Sequence, residues 1–260
     1  MKAKKSLGQH FLKSEKALKS LIDVSNLSPS DTILEIGPGQ GVLTEKLLES
    51  SSHVIAVEKD DSLYALLETK FEKEIADKKL ELILGDILDF DLSRLRASSY
   101  KLVANIPYNI TGAILEKFLS VKQQPSQMTL LVQREVAKRI VASDAKESIL
   151  SISIKAYGTP AYIETVKAGS FVPIPQVDSA IITINNISKG FFDKFDEEQF
   201  FKMVRAGFKS KRKKLSSNLS PLFPKERVRE TFDTLKLDPN VRAEDISLED
   251  WREILLYLSA

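Results

Sequence analysis

The sequence has no cysteine and only two histidines, His10 and His53, among its 260 residues. Without cysteine the chain cannot form disulfides or thiolate metal sites. Such a composition is typical of a reducing compartment, so we expect a cytoplasmic protein. Two histidines are too few for the usual histidine-based metal centres, and we expect no metal cofactor. Every apolar run falls short of the roughly 18 residues of a membrane span, so no membrane association is expected.

Charge is nearly balanced overall, at +2 for pH 7, but it is unevenly distributed. The basic N-terminus, which includes Lys4 and Lys5, lacks the apolar segment of a secretory signal. A second basic run, RAGFKSKRKK at 205–214, contains no acidic residue. Its cations are Arg205, Lys209, Lys211, Arg212, Lys213 and Lys214. Two such patches predict contacts with a polyanion, although a single run of this kind is also typical of a solvated helix face.

Apolar, β-branched runs alternate with helical patterns through the first two thirds of the chain. The predicted strands are 32–36, 53–58, 80–84, 100–105, 128–133, 161–166 and 178–184. Helical patterns such as 41–50 and 62–75 separate the first five strands. This alternation predicts an α/β fold, with a doubly wound and mostly parallel sheet covered on both faces. The last two strands lie close together in sequence, and we expect them to form an antiparallel pair at one edge.

Strand signals stop after about residue 187. Helical periodicity then dominates, in 196–210, 226–235 and 247–260. We therefore predict two domains, an α/β domain over 1–187 and a small all-helical domain over 188–260.

A glycine-rich turn follows the first of the long predicted strands. In LEIGPGQGVL (34–43) the glycines Gly37, Gly39 and Gly41 allow tight backbone passage into a helix whose N-terminus has free N–H groups. The next strand ends at Glu58, about 20 residues on, where a carboxylate can accept hydrogen bonds from both ribose hydroxyls. Together these features predict a cofactor that contains adenosine. The alternative is a structural turn with an unrelated glutamate.

The spacing of these glycines distinguishes between the cofactors that contain adenosine. Dinucleotide sites usually read G-x-G-x-x-G, whereas this turn reads G-x-G-x-G after Glu35. That pattern resembles the first motif of doubly wound methyltransferases that use S-adenosylmethionine (SAM). Asp86, in GDILDFD after the third of these strands, stands where such enzymes place an acid near the adenine amino group. By itself Asp86 is equally compatible with a turn or a helix N-cap.

The stretch NIPYNI (105–110) ends the fourth of these strands, beside the same predicted crevice. The side-chain carbonyl of Asn105 and a neighbouring backbone carbonyl can accept both N–H groups of an exocyclic base amine. Such acceptors localise the nitrogen lone pair toward a sulfonium methyl group. Pro107 stiffens the loop, and Tyr108 provides a face for base stacking. Phe171 can flank the other face of an extruded base, although alone it reads as a core residue, and Asn105 alone as a turn amide.

In this order the motifs resemble those of the KsgA-type (RsmA) family of ribosomal RNA small-subunit adenine N6-dimethyltransferases. The resemblance covers essentially the whole chain, and its most specific signatures are LGQHFL (7–12) and NIPYNI. It implies transfer of methyl groups from SAM to two adjacent adenosines in a hairpin loop near the 3′ end of 16S rRNA. It also implies action on an immature small subunit, and we expect a monomer. The sequence departs from the family at Gly112, where a bulkier residue is common.

The resemblance assigns roles by motif. SAM contacts fall to His10, Leu12, Gly37, Gly39, Glu58, Asp86 and Asn105. The catalytic set is Asn105, Pro107, Tyr108 and Phe171. It assigns contacts with SAM and RNA to residues 1–30, and rRNA binding to the helical domain 188–260. The cations of 205–214, together with Lys4 and Lys5, are then expected to bind phosphates.

Three alternatives remain open. A sister branch that methylates 23S rRNA and confers macrolide resistance also carries NIPYN, but PIPQVDSA and the basic tail favour the small-subunit branch. A non-enzymatic RNA-binding assembly or transcription factor with a vestigial SAM site is disfavoured by the intact acids. A dinucleotide oxidoreductase leaves NIPY and the basic tail unexplained.

Overall fold

The computed structural model describes residues 8–51, 53–95 and 99–259. Contacts divide the chain into two compact units, one of residues 1–137 and 159–187, the other of 138–158 and 188–260. One junction falls at the predicted boundary of 187 and 188. Residues 138–158 group with the second unit, whereas the sequence analysis placed them in the first domain. The assignment of separate roles to two domains stays a prediction.

The first unit contains a seven-stranded mixed sheet. Its strands are β2 Thr32–Ile36, β3 His53–Glu58, β4 Leu80–Leu84, β5 Lys101–Asn105, β6 Gln127–Gln133, β7 Thr159–Val166 and β9 Ser179–Asn185. Their order is β4-β3-β2-β5-β6-β9-β7. The first five are parallel, and β9 pairs antiparallel with both β6 and β7. All seven predicted strands, the antiparallel edge pair and the α/β class are confirmed.

Helices cover the sheet and form the second unit. They are α1 Glu15–Val24, α2 Val42–Ser50, α3 Asp61–Lys70, α4 Glu72–Ala76, α5 Thr111–Ser120, α6 Arg134–Val141, α7 Ile149–Lys155, α8 Glu197–Gly207, α9 Leu215–Leu219, α10 Lys225–Thr234 and α11 Leu248–Ser259. The predicted helical patterns after β2, after β3 and beyond residue 187 are confirmed. In the described part of the chain no helix is long and apolar enough to cross a bilayer.

The central strands are buried on both faces, because helices pack above and below them. Ile33 and Leu34 are successive residues of β2 and point to opposite faces, yet both are fully buried. Leu102 and Val103 of β5 repeat this pattern. Continuous apolar runs rather than alternation are therefore what the sequence shows for these strands.

A second, two-stranded sheet joins the N-terminal segment to the loop before β9. β1 (Phe11–Leu12) pairs antiparallel with β8 (Phe171–Val172), in the register Phe11 to Val172 and Leu12 to Phe171. The backbone N–H of Lys13 extends the pairing by donating to the carbonyl of Ser170 at 2.9 Å. We call residues 8–12 the 8–12 segment, and this pairing holds its last two residues, Phe11 and Leu12.

The second unit has its own aromatic core. Trp251 of α11 is fully buried and stacks on Phe208 with ring centroids 5.9 Å apart. Gly207 permits this packing, because a Cβ there would lie 2.3 Å from the Trp251 ring. Tyr157, two residues beyond the end of α7, packs with this unit, and its hydroxyl donates to the Glu197 carboxylate of α8. This contact is one reason why 138–158 group with the helices.

We predict that Gly41→Ala destabilises the protein. Gly41 has φ +77°, and a Cβ there would lie 2.6 Å from the Phe71 ring and 2.8 Å from Leu67. Backbone strain and overpacking together should lower the free energy of unfolding by about 2–4 kcal/mol, measured by urea denaturation. Gly112→Ala is the matched control, since a Cβ there meets open space in α5 and should leave stability unchanged or raise it by up to about 1 kcal/mol. Equal stability of the two variants would contradict this reading.

Candidate active site

A cleft opens in the first unit at the carboxyl ends of the parallel strands. Its volume, open mouth included, is about 1310 Å³. Among the residues that line it are the predicted site residues His10, Leu12, Gly37, Gly39, Glu58, Asp86, Asn105, Pro107 and Tyr108. The structure thus brings together nine positions that lie up to about a hundred residues apart in the chain.

Strand register explains this convergence. Ile36, the last residue of β2, pairs with Val57 of β3 on one side and with Ala104 of β5 on the other. The residues one position further along, Gly37, Glu58 and Asn105, therefore lie at the same edge of the sheet. The strand order also reverses between β2 and β5, which makes this crevice the point where doubly wound sheets bind ligands.

The glycine turn leaves space for a ligand. Gly37 has φ +63°, and a Cβ built there would meet nothing within 4 Å. Gly39, at φ +62°, is covered instead, because a Cβ there would lie 3.1 Å from the Phe11 ring of the 8–12 segment. The backbone at Gly37 is thus exposed to the cleft, while the 8–12 segment packs over Gly39.

Glu58 is buried and holds the turn in place. Its Oε2 accepts the backbone N–H of Gly39 at 3.0 Å, and its Oε1 accepts that of Asp60 at 2.9 Å. Burial raises the pKa of this carboxyl, and the two N–H donors oppose the rise. Each carboxylate oxygen has a second lone pair, so the group can still accept a ribose hydroxyl on each oxygen.

A second acid, Glu35, lines the cleft from within β2. Its side chain is 1% exposed, and its Oε2 accepts the Thr44 hydroxyl at 2.7 Å. Burial is the main reason why its pKa rises to about 8, and the neighbouring Glu58 adds to the rise. The carboxyl of Glu35 is therefore mainly protonated at neutral pH, unlike an exposed glutamate.

Asp86 stays ionised on the opposite wall. Its Oδ2 accepts the Lys59 ammonium at 2.6 Å, and its Oδ1 accepts the backbone N–H of Leu88 at 2.9 Å. The hydrogen bond from Lys59 is the largest cause of the lowered pKa of Asp86. An ionised carboxylate can accept hydrogen bonds from an amino group, and Lys59 holds this one at the cleft edge.

Asn105 is oriented by the 8–12 segment. Its Nδ2 donates to the backbone carbonyl of His10 at 3.1 Å, which leaves the side-chain Oδ1 as an acceptor. The ring of His10 stacks on Tyr108 with centroids 5.8 Å apart and planes inclined by 23°. The Tyr108 hydroxyl bonds the buried Ser179 hydroxyl at 2.7 Å. The amide and the aromatic ring of NIPY are therefore both anchored by residues distant in sequence.

Phe171 is the predicted catalytic residue that the structure does not place in the lining of the cleft. Its side chain has no exposed surface, packs in the core cluster with Leu12 and Leu131, and is not among the residues that line the cleft. In this arrangement the ring packs in the core and not against the cleft. The role of Phe171 beside a base stays a prediction.

The predicted RNA-binding residues fall in two groups. Lys4 and Lys5 lie outside the described residues. The six cations of 205–214 are all exposed, in and after the last turn of α8. They belong to the second unit. Their role in RNA binding stays a prediction.

The residues present fit the SAM expected from the sequence. The space beside Gly37 admits a ligand, Glu58 and Asp86 provide acceptors for hydroxyl and amino groups, and the ionised Asp86 suits a cationic ligand. The described residues contain no group of three or more His, Asp or Glu side chains arranged to hold a metal ion. The class defined by the fold and the site is therefore that of a SAM-dependent methyltransferase.

Comparison with known proteins narrows the class to a family. The sequence matches the ribosomal RNA adenine dimethylase family over residues 1–260. It is 41% identical to ribosomal RNA small subunit methyltransferase A of Dehalococcoides mccartyi strain BAV1, over 98% of this chain and 88% of the relative. The chain belongs to the ribosomal RNA adenine dimethylase family.

Two crystal structures share the fold. A dimethyladenosine transferase from Plasmodium falciparum aligns with a TM-score of 0.83 at 24% identity, over 96% of this chain and 98% of that one. The 23S rRNA methyltransferase ErmE aligns with a TM-score of 0.80 at 24% identity, over 96% and 100%. At 24% identity these likenesses concern the fold alone.

The sequence analysis did not identify Lys59 and Gln9, which line the cleft, or Ser179, which contacts the cleft residue Tyr108. Lys59 follows Glu58 directly, and its adjacency to a predicted ribose acid was the only signal available. Gln9 lies within LGQHFL, and its Nε2 donates to Asp60 at 3.0 Å. Ser179 lies in PQVDSA, where nothing marks it as the partner of Tyr108.

We predict that Glu35→Gln reduces the pH dependence of stability. Because the folded pKa of about 8 exceeds the ordinary 4.5, the native state binds more protons than the unfolded chain between these values. The stability from this carboxyl is complete below pH 4.5 and is lost as the pH rises through 8. The drop in the free energy of unfolding from pH 5 to 8 should be smaller in Glu35→Gln by about 2–4 kcal/mol.

The measurement is urea denaturation at the two pH values. Glutamine keeps an acceptor for Thr44, so the variant should fold normally at pH 5. Glu49→Gln, at an exposed position on α2, is the control and should follow the wild type. A pH dependence in Glu35→Gln equal to that of the wild type would contradict the prediction.

Proposed function

We propose that this chain is a SAM-dependent 16S rRNA (adenine-N6,N6)-dimethyltransferase. Its target is two adjacent adenosines in the hairpin loop near the 3′ end of the small-subunit RNA. It acts as a cytoplasmic monomer on immature small subunits during their late assembly. Support for the small-subunit target comes from the 41% identity with a relative that is named a small-subunit methyltransferase.

The geometry of Asn105 carries the proposal. Asn105 is the last residue of β5 and lines the cleft, and the backbone carbonyl of His10 accepts a hydrogen bond from its Nδ2 at 3.1 Å. This bond prevents the side-chain amide from rotating and exchanging its oxygen and nitrogen. The Oδ1 is therefore fixed as an acceptor. A prepositioned acceptor at this edge suits an exocyclic amine, because it costs no reorganisation as the reaction proceeds.

SAM, when bound, supplies a methyl group on a sulfonium leaving group. Asn105 Oδ1 accepts one N–H of adenine N6, and a backbone carbonyl of the rigid Ile106–Pro107 turn accepts the other. These bonds localise the N6 lone pair, which is otherwise delocalised into the ring, and direct it toward the methyl group. Pro107, with φ −55°, fixes the backbone between the amide and the aromatic ring.

Tyr108 positions the base. Its ring is half-buried, and its hydroxyl is fixed by Ser179 at 2.7 Å. A ring held at its far end keeps its face in a constant place, which favours stacking of an extruded adenine. His10 stacks on one face of this ring in the structure.

We predict that Asn105→Ala lowers the methylation rate at least 100-fold, because removal of one preorganised group of this kind costs about 10²–10³ in rate. The assay measures transfer of labelled methyl groups from SAM to immature small subunits. Mapping of dimethyladenosine in the RNA then locates the modified positions. Binding of the variant to the subunits should stay near that of the wild type.

Asn185→Ala is the control, because this amide ends β9 at the opposite edge of the sheet from the cleft. If Asn105→Ala methylates at the wild-type rate, Asn105 does not have the role proposed for it. Methylation of 23S rRNA instead of 16S rRNA by the wild-type protein would favour the sister branch. Absence of SAM binding in calorimetry would favour a non-enzymatic factor.

We predict that neutralising Lys211, Arg212 and Lys213 together weakens RNA binding and reduces its salt dependence. Phosphate contacts release counterions, so three lost contacts should reduce the slope of log K against log salt by about 2–3. Fluorescence anisotropy with labelled 16S rRNA fragments at several salt concentrations measures the slope. The control neutralises Lys73, Lys78 and Lys79 on and after α4. An unchanged slope in the first variant would place the RNA footprint elsewhere.

A further inference from the structure

The loop between β8 and β9 exposes an unusual amount of apolar surface. Eight large hydrophobic side chains are exposed among the described residues, and three of them lie within 172–177. These are Val172 at 51%, Ile174 at 67% and Val177 at 46% exposure. We call residues 172–177 the apolar loop. Clustered exposure of this kind marks a surface that binds something, whereas isolated exposed residues do not.

The apolar loop is held rigidly. Pro173 and Pro175 restrict its backbone, and Pro175 is buried. The carbonyl of Pro173 accepts the Nδ1–H of His10 at 2.7 Å. At the other end, Asp178 Oδ1 accepts the backbone N–H of Ala168 at 3.0 Å. The backbone of the apolar loop is therefore held at both ends, and its apolar side chains are exposed in this ordered conformation.

Both ends of the apolar loop reach the target side of the cleft. His10, which binds Pro173, stacks on Tyr108. Ser179, which follows the loop by two residues, binds the Tyr108 hydroxyl. The loop is therefore attached at each end to a side chain that touches the proposed base-stacking ring. A ligand whose base lies on Tyr108 must bring its neighbouring groups close to the loop.

Positive charge accompanies this apolar surface. Asp178 Oδ2 accepts both Arg134 at 3.3 Å and Lys167 at 3.1 Å, so two cations share one carboxylate. The side chains of Arg134 and Lys167 are 47% and 75% exposed. Lys13 is also exposed, beside Ser170 at the start of the loop. Apolar side chains flanked by cations match a nucleotide, which has an apolar base face and an anionic phosphate.

We propose that the apolar loop binds the nucleotide adjacent to the target adenosine, and this inference rests on the proposed function. Ile174 and Val177 cover the face of its base, while Lys167 and Arg134 contact its phosphate. Extrusion of the target removes a stacking partner from the neighbouring base, and an apolar surface beside Tyr108 restores cover for that face. The loop thus contributes to substrate seating and not to methyl transfer.

The test uses Ile174→Ser combined with Val177→Ser, and Ile163→Ser as the matched control. Ile163 is an exposed isoleucine on β7, at 37% exposure, away from the cleft-lining residues. The double variant should lower kcat/KM for immature small subunits about tenfold, mainly through KM, since the two side chains together cover one base and loss of that apolar cover costs about this factor. SAM affinity by calorimetry should match the wild type in all variants. A wild-type kcat/KM in the double variant overturns the proposal.

Cross-linking identifies the occupant. A photoreactive benzoylphenylalanine placed at position 174 should cross-link to 16S rRNA next to the dimethylated positions, and the same group at position 163 should not. A cross-link to a ribosomal protein, or to a second copy of this chain, overturns the proposal. If the wild-type protein methylates no small subunit at all, the proposed function itself has failed. Methylation with an unaffected double variant refutes the loop inference alone.

Discussion

The register of β2 with its two neighbours is the constraint on which the site depends. Because Ile36 pairs with Val57 and with Ala104, the three strands end at one level. A slip of one residue in a strand would move every side chain of that strand to the opposite face. The fully buried faces of β2 and β5 exclude such a slip, since it would require a new core. Packing of the apolar core therefore fixes the distance between the glycine turn, Glu58 and Asn105.

Most of the fold could be predicted from the sequence, because long apolar runs and helical periodicity are local signals. The two-residue strands β1 and β8 could not, since pairing between residues 11 and 172 leaves no periodic pattern. The grouping of 138–158 with the second unit was missed for a related reason. α6 and α7 are short, and the partners of α7 in α8 lie about 40 residues further along the chain.

The candidate site divides in the same way. The convergence of Gly37, Glu58, Asp86 and Asn105 could be predicted because each ends or follows a recognisable strand, and parallel strands bring such positions together. The burial of the Phe171 ring could not be predicted, because an aromatic residue beside prolines carries no sequence signal for the direction of its side chain. The contacts of His10 with Asn105 and Pro173 span 95 and 163 residues, and only the folded chain reveals them.

The 8–12 segment joins the two halves of the cleft. On the cofactor side Phe11 packs over Gly39 and Gln9 binds Asp60. On the target side His10 holds Asn105, stacks on Tyr108 and binds the apolar loop at Pro173. Glu58 couples the first set to the sheet through Gly39 and Asp60, so the segment rests on the carboxylate assigned to the ribose. The same five residues touch the groups assigned to the cofactor and those assigned to the base. A movement of the 8–12 segment at the cofactor side therefore changes the contacts that hold Asn105 and Tyr108 at the target side.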